Sequence, residues 1–204
     1  MNANRDCQND LRELRKLASQ REWNEQQVVI DRLLMRLNQT ECVGLGIQYI
    51  EAYIPRFEHY YPEQTWPRRL LNRFKAALSA DPNQSSWPEA PDEFTENYPK
   101  PGAGNFRNAL LELWKIGTGL SDAYHRARQT RRSIYAIFMA DLTESWGRSN
   151  PELWDRYRHP QNTHDMFVLP YQRWMSPEIA ERDISNWLRL ANDIEKRLEQ
   201  SLDR

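Results

Sequence analysis

The sequence predicts an all-α protein: a single-domain helical bundle of six to eight helices over residues 1–204, with two long Pro-rich surface loops. Three observations predict it. Apolar residues recur at steps of three and four through most of the chain, the period of one helix face. No apolar/polar alternation runs longer than four residues, and no repeat of solenoid length appears. Two stretches lack the period, 80–104 and 159–175, and the first holds Pro82, Pro88, Pro91, Pro99 and Pro101. Proline removes a backbone donor and fixes φ, so neither a helix nor a central strand fits there.

In chain order, residues 6–20 predict a peripheral helix with Leu11, Leu14 and Leu17 on one side and charge on the others. Residues 24–38 predict a second, with Val29, Ile30, Leu33, Leu34 and Leu37 inward, Asn24 as its cap and Asn38-Gln39-Thr40 as its end. Val43 to Leu78 is the stretch the others are expected to pack around. Val43, Ile47, Ile50, Ile54 and Phe57 line one helix face until Tyr61-Pro62 breaks it. Thr65 then offers a cap, Pro67 sits in the first turn, and Leu70, Leu71, Phe74, Ala77 and Leu78 form a second face. Both stripes are buried only if the pair folds back into a hairpin.

The segment Ala80–Gly104 is long for a loop inside a compact domain. It is acidic, and Trp87, Phe94 and Tyr98 are expected to tie it to the body. From Asn105, the residues Phe106, Leu110, Leu113, Gly117, Leu120, Tyr124 and Ala127 hold an alternating four-three step. Arg131 interrupts this seam and needs a partner carboxylate. Ile134 and Phe138 resume it, and Leu142 follows one position late. The unbroken phase predicts either one long helix over 105–146 or two nearly collinear ones, and a continuous helix, about 63 Å long, is favoured although Gly117 and Gly119 weaken it by up to about 1 kcal/mol each. Asn150-Pro151-Glu152 starts a short helix to Arg158. After an irregular segment to Met175, Ser176-Pro177-Glu178 opens the last helix, whose stripe is Ile184, Trp187, Leu188, Ala191, Ile194, Leu198 and Leu202.

Composition narrows the function classes. The formal charge is −1 and the pI about 6.4, so no global field favours nucleic acid or an anionic membrane. No run of 18 apolar residues and no apolar signal core appear, so a soluble, cytoplasmic protein with no membrane contact is expected. Cys7 and Cys42 are expected as free thiols in that compartment. Of the 28 basic residues only Lys16, Lys75, Lys100, Lys115 and Lys196 are lysine. Arginine, tryptophan and tyrosine are the residues that concentrate binding energy at interfaces, and this chain has 8 Trp and 9 Tyr.

No motif carries chemistry outright. The histidines His59, His125, His159 and His164 show no metal-ligand spacing. The loop that holds His159, His164 and Asp165 is the one place where three such groups gather, which leaves a metal-dependent hydrolase as a third reading. No Glu-x-x-His supports a di-iron site, and no nucleophile elbow exists. Pro101-Gly102-Ala103-Gly104-Asn105 leads into a helix N-terminus but lacks the Lys-Ser/Thr of a phosphate loop. No catalytic residue, metal or cofactor is therefore assigned. The run Arg126, Arg128, Arg131 and Arg132 is a candidate anion site, which makes a nucleic-acid or nucleotide-binding accessory protein the alternative.

Pro55, Phe57, Glu58, Tyr61-Pro62 and Pro67-Arg68 form the pattern P-x-F-E-x-x-Y-P-x-x-x-x-P-R. Over Val43–Leu78 this resembles a segment of small helical bacterial immunity proteins of polymorphic-toxin systems. The resemblance implies a non-enzymatic module that binds and blocks a toxin, and it carries over no active-site residue. The family's downstream helices are Ala-rich. This chain keeps Ala109, Ala123 and Ala127 there, among arginines and aromatics. The expected docking segment combines Glu89, Asp92, Glu93 and Glu96 with Trp87, Phe94 and Tyr98. Its acids would attract a basic partner while its aromatics supply affinity, which suits a basic toxin.

Overall fold

Helix forms over most of the chain in which the three-and-four spacing runs. The computed structural model describes residues 2–79, 87–118, 122–162, 173 and 175–202. Among them are α1 (Asn2–Gln20), α2 (Trp23–Leu34), α3 (Gln39–Tyr60), α4 (Trp66–Ser79), a 3-10 turn (Asp92–Thr95), α5 (Ala103–Thr118), α6 (Ala123–Ser149), α7 (Pro151–Arg158) and α8 (Pro177–Leu202), with no strand among the described residues. The protein is all-α.

Helix α3 occupies the centre. It packs on α4, α5 and α6, and Val43, Ile47, Ile50, Ile54 and Phe57 are buried as their spacing predicts. It begins four residues before Val43. Asn38 Oδ1 accepts from the Glu41 backbone N–H at 2.9 Å, and Glu41 returns a carboxylate to the Asn38 N–H at 2.9 Å. This reciprocal box satisfies two free donors, so Asn38 starts α3 rather than ending α2. Helix α2 stops earlier, at Leu34, and starts at Trp23 without a side-chain cap, so Asn24 lies inside it.

The α3–α4 hairpin forms as the stripes require. Arg68 pairs with Glu58 near the turn and Lys75 with Glu51 at the far end, which fixes the two helices antiparallel. Exposed as they are, these pairs set direction more than they stabilise. The aromatic cluster contributes more. Fully buried Phe57 has the rings of Phe106, Tyr61, Tyr98 and Trp66 around it at 4.8, 5.1, 5.2 and 6.3 Å. Burial of such a side chain is worth about 1.5–3 kcal/mol.

The continuous helix expected over 105–146 is instead two helices, α5 and α6, packed antiparallel along their length. Ser133 Oγ donates to the Ala109 carbonyl at 2.8 Å, and Asn105 Nδ2 donates to Thr143 Oγ1 at 3.4 Å. The break is chemical: the Asp122 carboxylate accepts from the His125 N–H at 2.8 Å and caps a new helix. Apolar phase reports which face is buried, not that the chain runs straight.

Helix α8 closes the bundle against α1 and α6. Its buried face is Ile179, Trp187, Leu190, Ala191 and Ile194, turned slightly from the expected stripe, so Ile184 and Leu188 are only half-buried. A smaller cluster of Leu142, Trp146 and Ile179 lies under α7, where Leu153, Trp154 and Tyr157 cover it. Both cysteines are buried and unpaired. No described helix is long and apolar enough to cross a membrane.

Candidate functional site

The acidic segment is a clasp as far as its aromatics are concerned. Trp87 Nε1 donates to the Trp114 carbonyl at 2.8 Å, and Trp114 Nε1 donates to the Pro88 carbonyl at 2.8 Å. The Trp87 ring stacks on Phe74 at 4.8 Å, and Phe94 meets Trp66 edge-on at 5.7 Å. Tyr98 is buried. Its hydroxyl accepts from Trp66 Nε1 at 2.9 Å and donates to Glu96 Oε2 at 2.8 Å. Burial, then the Glu96 bond, pushes the Tyr98 pKa well above its usual range. Trp87, Phe94 and Tyr98 tie the segment to the body as expected: Tyr98 is buried, Trp87 and Phe94 are half-buried, and the indole and phenol groups find hydrogen-bond partners within the chain. Glu89, Asp92 and Glu96 are exposed, while Glu93 is half-buried near Arg69. Arg69 and Arg73 line the same shallow cleft as Glu89, Asp92 and Glu93, so the segment's negative charge is diluted.

The glycine-rich lead-in also faces inward. Gly102 has φ +80°, and a Cβ there would strike the Tyr53 hydroxyl and the Ala140 carbonyl. Glycine serves close approach of backbone to α3 and α6, not anion binding. Helix α5 begins at Ala103, so Asn105 is not its cap. His159 is exposed at the end of α7, whereas His164 and Asp165 lie outside the described residues. No group of three His, Cys, Asp or Glu side chains is placed to share a metal ion among the described residues.

The basic run divides into two pairs. Arg131 Nε donates to Asp31 Oδ1 at 2.8 Å and its Nη1 to Gln27 Oε1 at 2.9 Å, which supplies the carboxylate a seam arginine needs. Arg126 Nη2 donates to the Leu37 carbonyl at 3.2 Å. Arg131 ties α6 to α2, and Arg126 ties α6 to the turn that follows α2. Arg128 and Arg132 are exposed and make no ion pair among the described residues. They share one face of α6 with Tyr124 and Tyr135, at steps of four, four and three. Val28 and Asp31 on α2, with Met35 just past its end, follow one face, which the Asp31–Arg131 pair joins to α6. Exposure reaches 57% at Val28, 43% at Met35, 47% at Tyr124 and 44% at Tyr135. Trp23, at the start of α2, and Met175 complete the large apolar residues exposed among the described ones.

A groove that no motif announced is the most charged concavity described. It lies between α3, α6 and α8, with a volume of about 530 Å³. Asp141 on its floor accepts from Arg56, from Arg182 Nη1 at 3.2 Å and from Asn186 Nδ2 at 3.3 Å. Glu144 beside it accepts from Arg148 at 2.8 Å and Arg56 at 3.5 Å, and its side chain is 4% exposed. Tyr53 and Tyr49 line the wall. Burial, and next Glu144 or Asp193 beside the ring, pushes both phenols well above their usual pKa. Arg189 stacks over Tyr49 at 4.9 Å. Asp141 and Glu144 meet guanidinium or amide donors from α3, α6 and α8, so this arrangement holds three helices in register. One sequence signal pointed to it: the seam position three after Phe138 is Asp141, which is why Leu142 fell one place late. No family model matches the chain, and no curated protein or solved structure matches it.

Proposed function

We propose that this chain is a non-enzymatic, protein-binding module of the bacterial immunity type, acting in the cytoplasm on another protein. One observation carries the binding half of that reading. Large apolar side chains that a folded chain normally covers are exposed on two neighbouring helices, α2 and α6, at Trp23, Val28, Met35, Tyr124 and Tyr135. An apolar flank edged with arginine is the composition of a protein interface rather than of idle surface. The non-enzymatic half is supported by the groove, where Asp141 and Glu144 are committed to arginines rather than poised to exchange protons with a substrate. The immunity type rests on the Val43–Leu78 resemblance. The nucleic-acid alternative loses support because Arg126 and Arg131 are spent inside the fold.

Co-expression with the products of the adjacent reading frames tests this. A stoichiometric complex on size exclusion, together with relief of that product's toxicity to the host, is the expected result. If every neighbouring product elutes apart from the chain and no toxicity is relieved, the reading is wrong.

A further inference from the structure

We infer that the α2–α6 flank docks an acidic helix, one that presents carboxylates a single turn apart beside an apolar residue. The inference rests on the protein-binding reading and names the chemistry of the partner. Its geometry begins with Arg128 and Arg132. They are four residues apart on a straight helix, so their stems stand about 6 Å apart along its axis. That is the spacing of Asp or Glu at i and i+4 on a facing helix. Charge complementarity sets the sign. On the two stripes the only carboxylate is Asp31, and Arg131 already holds it bidentately at 2.8 and 3.3 Å. Among the described residues of these two stripes, the flank therefore offers two guanidinium groups and no free acid to answer them.

Apolar surface sets the class of partner. Val28 and Met35 on one side, and Tyr124 and Tyr135 on the other, would bury against side chains of the docked helix. Tyr135 is already braced, since its ring stacks on Trp187 at 6.1 Å. Trp187 in turn donates to Asp183 at 2.9 Å, which also accepts from Trp23 Nε1 at 3.0 Å. A braced aromatic loses little freedom on binding, which favours affinity. A second copy of this chain is the wrong occupant, because a two-fold contact would set the Arg128–Arg132 pair against itself. A nucleic-acid backbone is a poor one, because two unpaired cations release few counterions and the apolar rows would stay uncovered.

The test uses the full chain and three fluorescent probes followed by anisotropy. These are an amphipathic Leu/Glu helical peptide with glutamates at i and i+4, the same peptide with lysine for glutamate, and a single-stranded oligothymidylate. The expected result is binding of the glutamate peptide alone, weakening as salt rises. The double variant R128E/R132E should reduce that binding at least about tenfold and gain binding to the lysine peptide, with thermal unfolding unchanged. Tyr124→Ala with Tyr135→Ala should weaken the glutamate peptide without restoring the lysine one. Failure to bind the glutamate peptide, or equal binding by R128E/R132E, overturns the inference. Arg-dependent capture of the oligothymidylate overturns it in favour of a nucleic-acid surface. If the chain forms its co-expressed complex and R128E/R132E leaves that complex intact, this flank is wrong while the protein-binding reading stands.

Discussion

Arginine and carboxylate meet tyrosine both in the α3–α6–α8 groove and on the outer flank of α2 and α6, with opposite outcomes. In the groove, three arginines converge on Asp141 and Glu144, and Tyr53 is buried beside them. On the flank, Arg128 and Arg132 face solvent with two exposed tyrosines and make no ion pair among the described residues. A charged residue announces a binding surface only when the fold has left it unanswered. The groove is richer in charge, yet Asp141 and Glu144 are taken up by the architecture. The flank is plainer and keeps its charges available.

Arg131 lies on the flank's own helix yet is paired with Asp31, and changing it should have the largest effect. Both it and Asp31 are mostly buried, at 12% and 15% side-chain exposure. Arg131→Ala strands the Asp31 carboxylate and should cost about 3 kcal/mol in urea unfolding. Replacing both residues by leucine should recover most of that loss. If Arg131→Ala alone is harmless, the pair belongs with the idle surface charges.

The direct contrast comes next. Glu144→Ala removes a buried acid from between Arg56 and Arg148, but both arginines are half exposed and can rehydrate, so the expected cost is about 2 kcal/mol. Changing Arg128 and Arg132 to Ala together should move stability by less than about 0.5 kcal/mol. Equal losses in the two variants would erase the distinction drawn above.

The smallest effect is the most diagnostic in its pH dependence. Tyr53 donates a long bond, 3.4 Å, to the Ala140 carbonyl, so Tyr53→Phe should cost no more than about 1 kcal/mol at neutral pH. Burial and Glu144 raise the Tyr53 pKa in the folded state. The native state therefore keeps a proton that the unfolded chain releases above about pH 10. The stability tied to this group is complete below that pH and drains away as pH rises further. The Phe variant lacks the loss, so its deficit should shrink and then reverse in alkaline denaturation curves. A constant deficit from pH 7 to the alkaline limit would show that Tyr53 is not held in a buried setting.

Helix period was legible because it depends on nearest neighbours along the chain. It located α3 and α4, and it marked Arg131 as a residue in need of a carboxylate, which Asp31 supplies. What it could not show was register between helices. Whether Arg126 or Arg128 is free depends on the Leu37 carbonyl reaching α6. Whether Trp87 points out or in depends on a carbonyl of α5, 27 residues away. The groove draws Arg56, Asp141 and Arg182 from three helices far apart in sequence, so only the phase slip at Asp141 hinted at it. The division of α5 from α6 was missed for a related reason: both stripes face the same core, so the period crosses the break without a change of phase.

Gly117 looked like a weak point in a helix, yet a Cβ there would overlap the Trp87 indole. The glycine is the seat of the clasp that holds the acidic segment. Positions 87 and 117 are thus one heritable choice rather than two. A lineage that keeps the tryptophan must keep the glycine, whatever that costs the helix. A lineage that exchanges Trp87 for a small residue is free to place alanine at 117 and gain up to about 1 kcal/mol of helix propensity. Descendants of this chain should therefore sort into two kinds at these sites, with the mixed pairing of tryptophan and alanine missing between them.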